Sequence, residues 1–253
     1  MKQRFLLGMM LLIAGVARLQ ADWPMLGANP KRTSWVADEV EGTPSVEWFR
    51  VIDPYVDPKT QVIAATVSGA PAAPRRLFVS TSRGLYCFNA DDGSDLWVYG
   101  TELPLGHSPT YSNGVLYVGG LDRRVHAVDA LTGRPKEGWS FPEAGAGFET
   151  NPIVANGRVY IGSRDGRFYC LDANTGHLIW TYPRLDAPPL EPILFSPAMS
   201  DNGVIYFASN NSRAYAIRAS SGELVWESAK LPGAGFHSYW PVVYTTWQIP
   251  KRA

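Results

Sequence analysis

Four prolines, at positions 109, 152, 197 and 241, recur at intervals of 43, 45 and 44 residues, and polar residues able to do chemistry cluster beside each. They are His107 and Ser108, then Glu149, Thr150 and Asn151, then Ser196, and finally His237 and Ser238. Hydroxyls, imidazoles, a carboxamide and a carboxylate brought to one place would bind a polar ligand through directional hydrogen bonds. Glu149 and Asn151 are also oxygen donors of the kind a calcium ion takes. The competing role at every one of these positions is to cap a strand end. Asn89–Asp95 resembles a calcium loop, but it lacks the glycine at the sixth position and the distal glutamate of an EF-hand, and it is read as a turn. The sequence contains no Gly-x-Ser-x-Gly elbow, His-Glu-x-x-His site or phosphate loop.

What positions these residues is a repeat. Four segments share an apolar–aromatic–apolar triplet and a second alternating run: Leu77-Phe78-Val79, Leu116-Tyr117-Val118, Val159-Tyr160-Ile161 and Ile205-Tyr206-Phe207 open them. Each closes on a glycine turn, at Gly93, Gly133, Gly176 and Gly222, followed by Trp97, Trp139, Trp180 and Trp226. Asn113-Gly114, Asn156-Gly157 and Asn202-Gly203 precede three of the triplets, and Asn-Gly favours the positive φ angles of a tight hairpin. Gly and Pro interrupt every stretch that could become a helix. The period of roughly 43 residues with four short strands per unit predicts an all-β propeller of four-stranded antiparallel blades. In that fold the polar residues beside the prolines stand at the mouth of the central channel. The tryptophans are expected to lie on the backbone of the next blade, with the indole N–H finding a carbonyl.

Cys170-Leu171-Asp172-Ala173-Asn174-Thr175-Gly176-His177-Leu178-Ile179-Trp180 resembles the Ala-x-Asp-x-x-Thr-Gly-x-x-x-Trp segment of the pyrroloquinoline-quinone-type propeller repeat. The other repeats drift, with Asn89 and Arg218 in place of Asp and two extra residues before Trp139. Asp22-Trp23-Pro24-Met25 through Arg32-Thr33 is similar to the opening of exported members. The resemblance implies blade docking through Trp97, Trp139, Trp180 and Trp226. It also implies a ring of seven or eight blades, of which this chain carries four complete ones and parts of others. Val46–Arg50 reads as an outer strand, and Phe236–Tyr244 as the start of a fifth inner strand.

Function divides two ways within that resemblance. Quinoprotein dehydrogenases of the family hold pyrroloquinoline quinone with calcium beneath a disulfide of adjacent cysteines. This chain has only Cys87 and Cys170, at equivalent places in different repeats, and no Cys-x-x-Cys-His haem motif. Both cysteines are read as small buried hydrophobes. The other branch is non-catalytic and includes the scaffold of outer-membrane barrel assembly, normally a lipoprotein, whereas no cysteine here lies near Ala21, where the start of the sequence reads as cleaved. The expectation is a non-catalytic envelope propeller, without cofactor or metal, that binds a protein, peptide or glycan on its funnel or loops. The insertion Val51–Val67 is a candidate recognition loop. The alternative is a fragment of a quinone-dependent dehydrogenase, with its cofactor and calcium.

Composition limits partners and compartment. Lys plus Arg and Asp plus Glu both number 23, so the long-range field that draws nucleic acid is missing. Lys2 and Arg4 precede an apolar run, Phe5–Val16, too short for the ~20 residues of a transmembrane helix, and Leu19-Gln20-Ala21 offers a cleavage site. The reading is residues 1–21 as a signal peptide directing export to the periplasm or beyond. Residues 22–67 form an N-terminal segment, 68–104, 105–147, 148–192 and 193–235 the four repeats, and 236–253 a fifth start with a divergent tail.

Overall fold

The computed structural model describes residues 22–36, 43, 45–70, 74–232 and 241–243. Fifteen strands and no helix lie among them. The signal-peptide reading, His237, Ser238 and the fifth inner strand around Trp240 fall outside the described residues.

Four antiparallel sheets follow one another in chain order. Blade one contains β1 (Ile63–Thr66), β2 (Arg75–Thr81), β3 (Gly84–Asn89) and β4 (Asp95–Gly100). Blade two contains β5 (Thr110–Ser112), β6 (Val115–Gly119) and β7 (Val125–Asp129). Blade three contains β8 (Ile153–Ala155), β9 (Arg158–Gly162), β10 (Phe168–Asp172) and β11 (Leu178–Tyr182). Blade four contains β12 (Ala198–Met199), β13 (Val204–Ser209), β14 (Arg213–Arg218) and β15 (Leu224–Glu227). Three of the inner strands begin directly after Pro109, Pro152 and Pro197. These are the repeating blades of a propeller, here as an arc of four.

The middle strands of blades two and three are apolar on both faces because each of those sheets is covered twice. Along β9, Val159 and Ile161 pack with Tyr117 of blade two and with Phe148 ahead of β8, while Tyr160 between them packs with Ile205 and Ile217 of blade four. Alternate residues therefore serve alternate neighbours, as the two-residue period of a strand requires. Cys87 belongs to the layer between blades one and two and Cys170 to that between blades three and four; both are buried and free. Burial pushes both thiols up to about 12, so neither is a reactive thiolate.

The turn signature has a direct physical cause. Asp172 Oδ1 accepts hydrogen bonds from the Asn174 and Thr175 amides, each 2.9 Å, and from the Thr175 hydroxyl at 3.0 Å. That local ring folds the chain so that the Gly176 N–H reaches the Asp172 carbonyl at 2.9 Å with φ +79°. Asp129 repeats the arrangement with Leu131 and Thr132.

Three expectations need correction. Val46–Arg50 forms no strand, although Trp48 within it still docks on blade one. Blade two has three strands rather than four, because Pro135 lacks an N–H and leaves only an isolated bridge to Val128 where an outer strand would run. The first blade takes its inner strand from Ile63–Thr66, ahead of the expected boundary at residue 68. The first repeat has no proline before its inner strand, so the marker used for the others is missing.

Candidate functional site

The inner strands of all four blades converge on the segment 22–36. Trp23 exchanges backbone hydrogen bonds with Ala64 of β1 at 2.8 and 3.1 Å, and Pro24 accepts from the Tyr111 amide of β5 at 2.7 Å. Pro30 accepts from Met199 of β12 at 2.8 Å, and Lys31 accepts from Val243 at 3.0 Å. Gly27 makes the bend at φ +64°, where an added Cβ would sit 2.8 Å from the Arg32 Cα.

Arg32 is fully buried at the end of that bend. Its guanidinium donates to four carbonyls: Leu26 at 2.6 Å, Pro197 at 2.9 Å, Pro152 at 3.2 Å and Asn151 at 3.3 Å. Burial lowers its pKa to about 9, so it remains a cation at neutral pH. Sequence reasoning noted this segment only as a resemblance and missed its place among the inner strands. The available signal was a lone Arg in a Gly/Pro-rich stretch ahead of the repeats.

Around Arg32 the polar residues beside the prolines form a closed network. The Asn151 amide nitrogen donates to the Ser108 carbonyl at 3.1 Å, and its backbone N–H donates to the Ser196 Oγ at 2.9 Å. Ser196 in turn donates to Asn151 Oδ1 at 2.7 Å, and Ser108 Oγ accepts from the Gln61 amide at 2.7 Å. Thr150 binds the backbone of Gly162 with its hydroxyl. Ser108, Thr150, Asn151 and Ser196 are all buried. Their side chains thus join blades two, three and four and complete strand ends.

Glu149 and His107 face elsewhere. Glu149 pairs with Arg164 at 3.1 Å, so it and Asn151 are committed to different partners. A calcium ion between them would have to displace Ser196 from Asn151 Oδ1 and sit beside the buried guanidinium. The donor set does not fit that ion, and among the described residues no three His, Cys, Asp or Glu side chains group to hold a metal.

His107 and Glu149 instead line a cleft of about 280 Å³ with Tyr55, Asp57, Lys59 and Ser80. The insertion builds its outer wall. Asp57 Oδ1 accepts from the Lys59 amide at 2.8 Å, and the Tyr55 carbonyl accepts from Ser82 at 2.9 Å, fixing the loop to blade one. His107 Nε2 lies 3.7 Å from Asp57 Oδ1, and burial holds the imidazole below its ordinary pKa against the opposing pull of Asp57. A larger open groove, about 880 Å³, runs along the rim past Trp180, Tyr182, Leu185 and Leu224, away from these groups.

The tryptophans divide by context. Trp97 donates to the Ala130 carbonyl and Trp180 to the Ala219 carbonyl of the following blade, each at 3.3 Å, with Gly133 and Gly222 beneath the rings. Trp48 does the same to Ala90 at 3.0 Å, over Gly93. Trp139 lies on Gly176 but donates to Val125 of its own blade, because two extra residues displace it. Tyr117 takes the vacated Ala173 carbonyl at 2.7 Å. Trp226 is 44% exposed, with no described blade against it, so a docking role is not realised there.

Comparison with known proteins places this architecture. A protein-family model described as outer membrane protein assembly factor BamB matches residues 35–145 and 81–235. The crystal structure of BamB from Moraxella catarrhalis aligns at 21% identity and TM-score 0.50, over 62% of this chain and 49% of that one. Quinohemoprotein alcohol dehydrogenase from Comamonas testosteroni aligns at 16% identity and TM-score 0.67, over 85% and 42%. The enzyme ADHIIG from Pseudomonas putida HK5 gives 18% and 0.64, over 85% and 41%. The chain therefore spans less than half the length of each, and at these identities the likeness is one of fold. No curated protein sequence matches. The repeat, the four sheets and the matched span, which takes in most of the chain, make this protein a member of the BamB family of quinoprotein-like propellers.

Proposed function

We propose that this chain acts as a non-catalytic propeller of the cell envelope that binds a protein, peptide or glycan partner in a scaffold or assembly role. The observation that carries the reading is the closed network around Arg32. Ser108, Asn151 and Ser196 are spent on holding blades together and Glu149 on its pair with Arg164, while the cleft lined by His107 and the loop beside it stay open. The family description, an assembly factor for outer membrane proteins, supports a protein partner. Export is supported by the basic and apolar start of the sequence and by the usual periplasmic location of such propellers. Among the described residues no helix is long and apolar enough to cross a membrane.

The test has two arms. A photo-crosslinking residue replacing exposed Tyr55, in cells exporting the chain, is expected to give a discrete adduct with an envelope component, and one replacing Arg184 on the rim is not. Purified chain with calcium, pyrroloquinoline quinone and a dye acceptor is expected to oxidise neither alcohols nor sugars. Cofactor-dependent turnover that disappears in Glu149→Gln would overturn the binding reading in favour of a dehydrogenase segment.

A further inference from the structure

We propose that the cleft formed by Tyr55, Asp57, Lys59, Ser80 and His107 is a binding site for one neutral sugar ring. This rests on the non-catalytic reading above and names the class of ligand.

Ser80 supplies the first observation. It is 2% exposed, it lines the cleft, and its Oγ is the buried side-chain polar atom among the described residues that has no hydrogen-bond partner. Native proteins leave few such groups, because an unpaired buried hydroxyl forfeits its hydration. A turn of its χ1 toward the cleft would let a ligand hydroxyl restore that bond.

Charge supplies the second. Lys59 offsets Asp57, and Arg164 neutralises Glu149 at 3.1 Å, so the cleft carries no net charge to attract an ion. An anion would meet Asp57 and Glu149, and a cation would meet Lys59. His107 is kept neutral at pH 7 by its burial and so both donates and accepts. The wall thus offers both donors and acceptors, which suits hydroxyls, since each can do both. A purely apolar ligand would leave all of them unsatisfied.

Shape supplies the third. The volume, about 280 Å³, is at the lower limit of ligand pockets, ~300–1,000 Å³, and accommodates one ring. Pro104, Leu105 and Leu121 give part of the lining an apolar surface for ring C–H groups. Tyr55, 64% exposed at the mouth, offers an aromatic face with a polar tip. The ring is either a free monosaccharide or one unit of a glycan.

The test is saturation-transfer NMR on the 253-residue chain with D-glucose, D-galactose, D-mannose and N-acetyl-D-glucosamine, and with succinate and choline as charged controls. At least one sugar is expected to bind with Kd on the order of 1 mM, the ceiling for so small a ligand. Ser80→Ala and Tyr55→Ala are each expected to weaken it about tenfold while the melting temperature stays the same, since one removes an unpaired hydroxyl and the other an exposed ring. Comparing that sugar with an oligosaccharide built from it separates the two sources: tighter binding of the oligosaccharide identifies a glycan unit, and equal binding a free sugar. Silence from all four sugars, preference for succinate or choline, or binding unchanged in both variants overturns the inference. Those results leave the Tyr55 crosslink and the dehydrogenase assay standing as the separate tests of the non-catalytic reading.

Discussion

Removing the Arg32 side chain tests whether the axial segment is held by its guanidinium. In Arg32→Ala four carbonyls lose a charged donor, but the Pro152 carbonyl keeps the Thr110 hydroxyl at 2.8 Å. Three acceptors, on Leu26, Asn151 and Pro197, are then left without it. Each orphaned group costs ~1–3 kcal/mol, and the desolvation penalty recovered from the buried cation offsets part of the total. A net loss of about 4 kcal/mol results, within the range for breaking one side of a buried charged contact. For a domain of this size that lowers the melting temperature by about 8–16 °C. Arg32→Met keeps the apolar stem and should recover only the cavity contribution, whereas Arg32→Lys should recover more. Circular dichroism melts give the stabilities, and limited trypsin digestion reads the segment directly, since Lys31 remains as a cleavage site in every variant. Arg32→Ala should be cut there much faster than wild type. Equal melting and equal protection at Lys31 would refute the account.

Other consequences are independent of Arg32. Trp180→Ala should cost about 3 kcal/mol, at the low end for such truncations because the indole is only half-buried, while Trp226→Ala should cost less than ~0.5 kcal/mol; equal urea midpoints would remove the docking role. His107 titrates below its ordinary value in the folded chain, so the unfolded chain takes up the proton first as pH falls through about 6.5. Stability is therefore full above that pH and lost below it, and His107→Asn should flatten urea midpoints measured across that window. Asn151→Ala should cost about 2 kcal/mol by unpairing Ser196 and the Ser108 carbonyl, and a smaller loss in the double variant with Ser196→Ala than the sum of the singles would show their coupling. Exposed Leu224, Val225 and Trp226 on one side of the arc and Val46 and Phe49 on the other predict concentration-dependent association; light scattering that stays monomeric at every concentration would contradict it.

Legibility followed the range of the interactions. The Asp172–Thr175–Gly176 turn and the Asn113-Gly114 hairpin are complete within five residues, so their residue types reveal them. Gly222 and Trp180 are farther apart but recur with the blades, and repetition exposes them too. Trp139 departs because its displacement comes from an insertion containing Pro135, whose effect on the edge strand is visible only once the strands are paired. The candidate site was legible in membership and not in arrangement. His107 and Glu149 line a cleft, but Ser108, Asn151 and Ser196 bond to one another beside Arg32, and Thr150 turns to the backbone of Gly162. That preference depends on a cation contributed from 165 residues away, as the Arg32–Pro197 contact measures, and no local pattern carries it.

That long reach has a kinetic side. The segment 22–36 leaves the ribosome before all four blades, yet the acceptors it needs come from Asn151, Pro152 and Pro197, and its carbonyls wait for Met199 and Val243. Blade hairpins, closed by neighbours in sequence, form on the microsecond scale of local structure, whereas the segment meets its full set of partners only after the fourth blade exists. A part made before the blades is therefore the last to find its place. Until then the polypeptide presents a loose segment at 22–36 and an open axis, and its vulnerable interval ends when Arg32 docks.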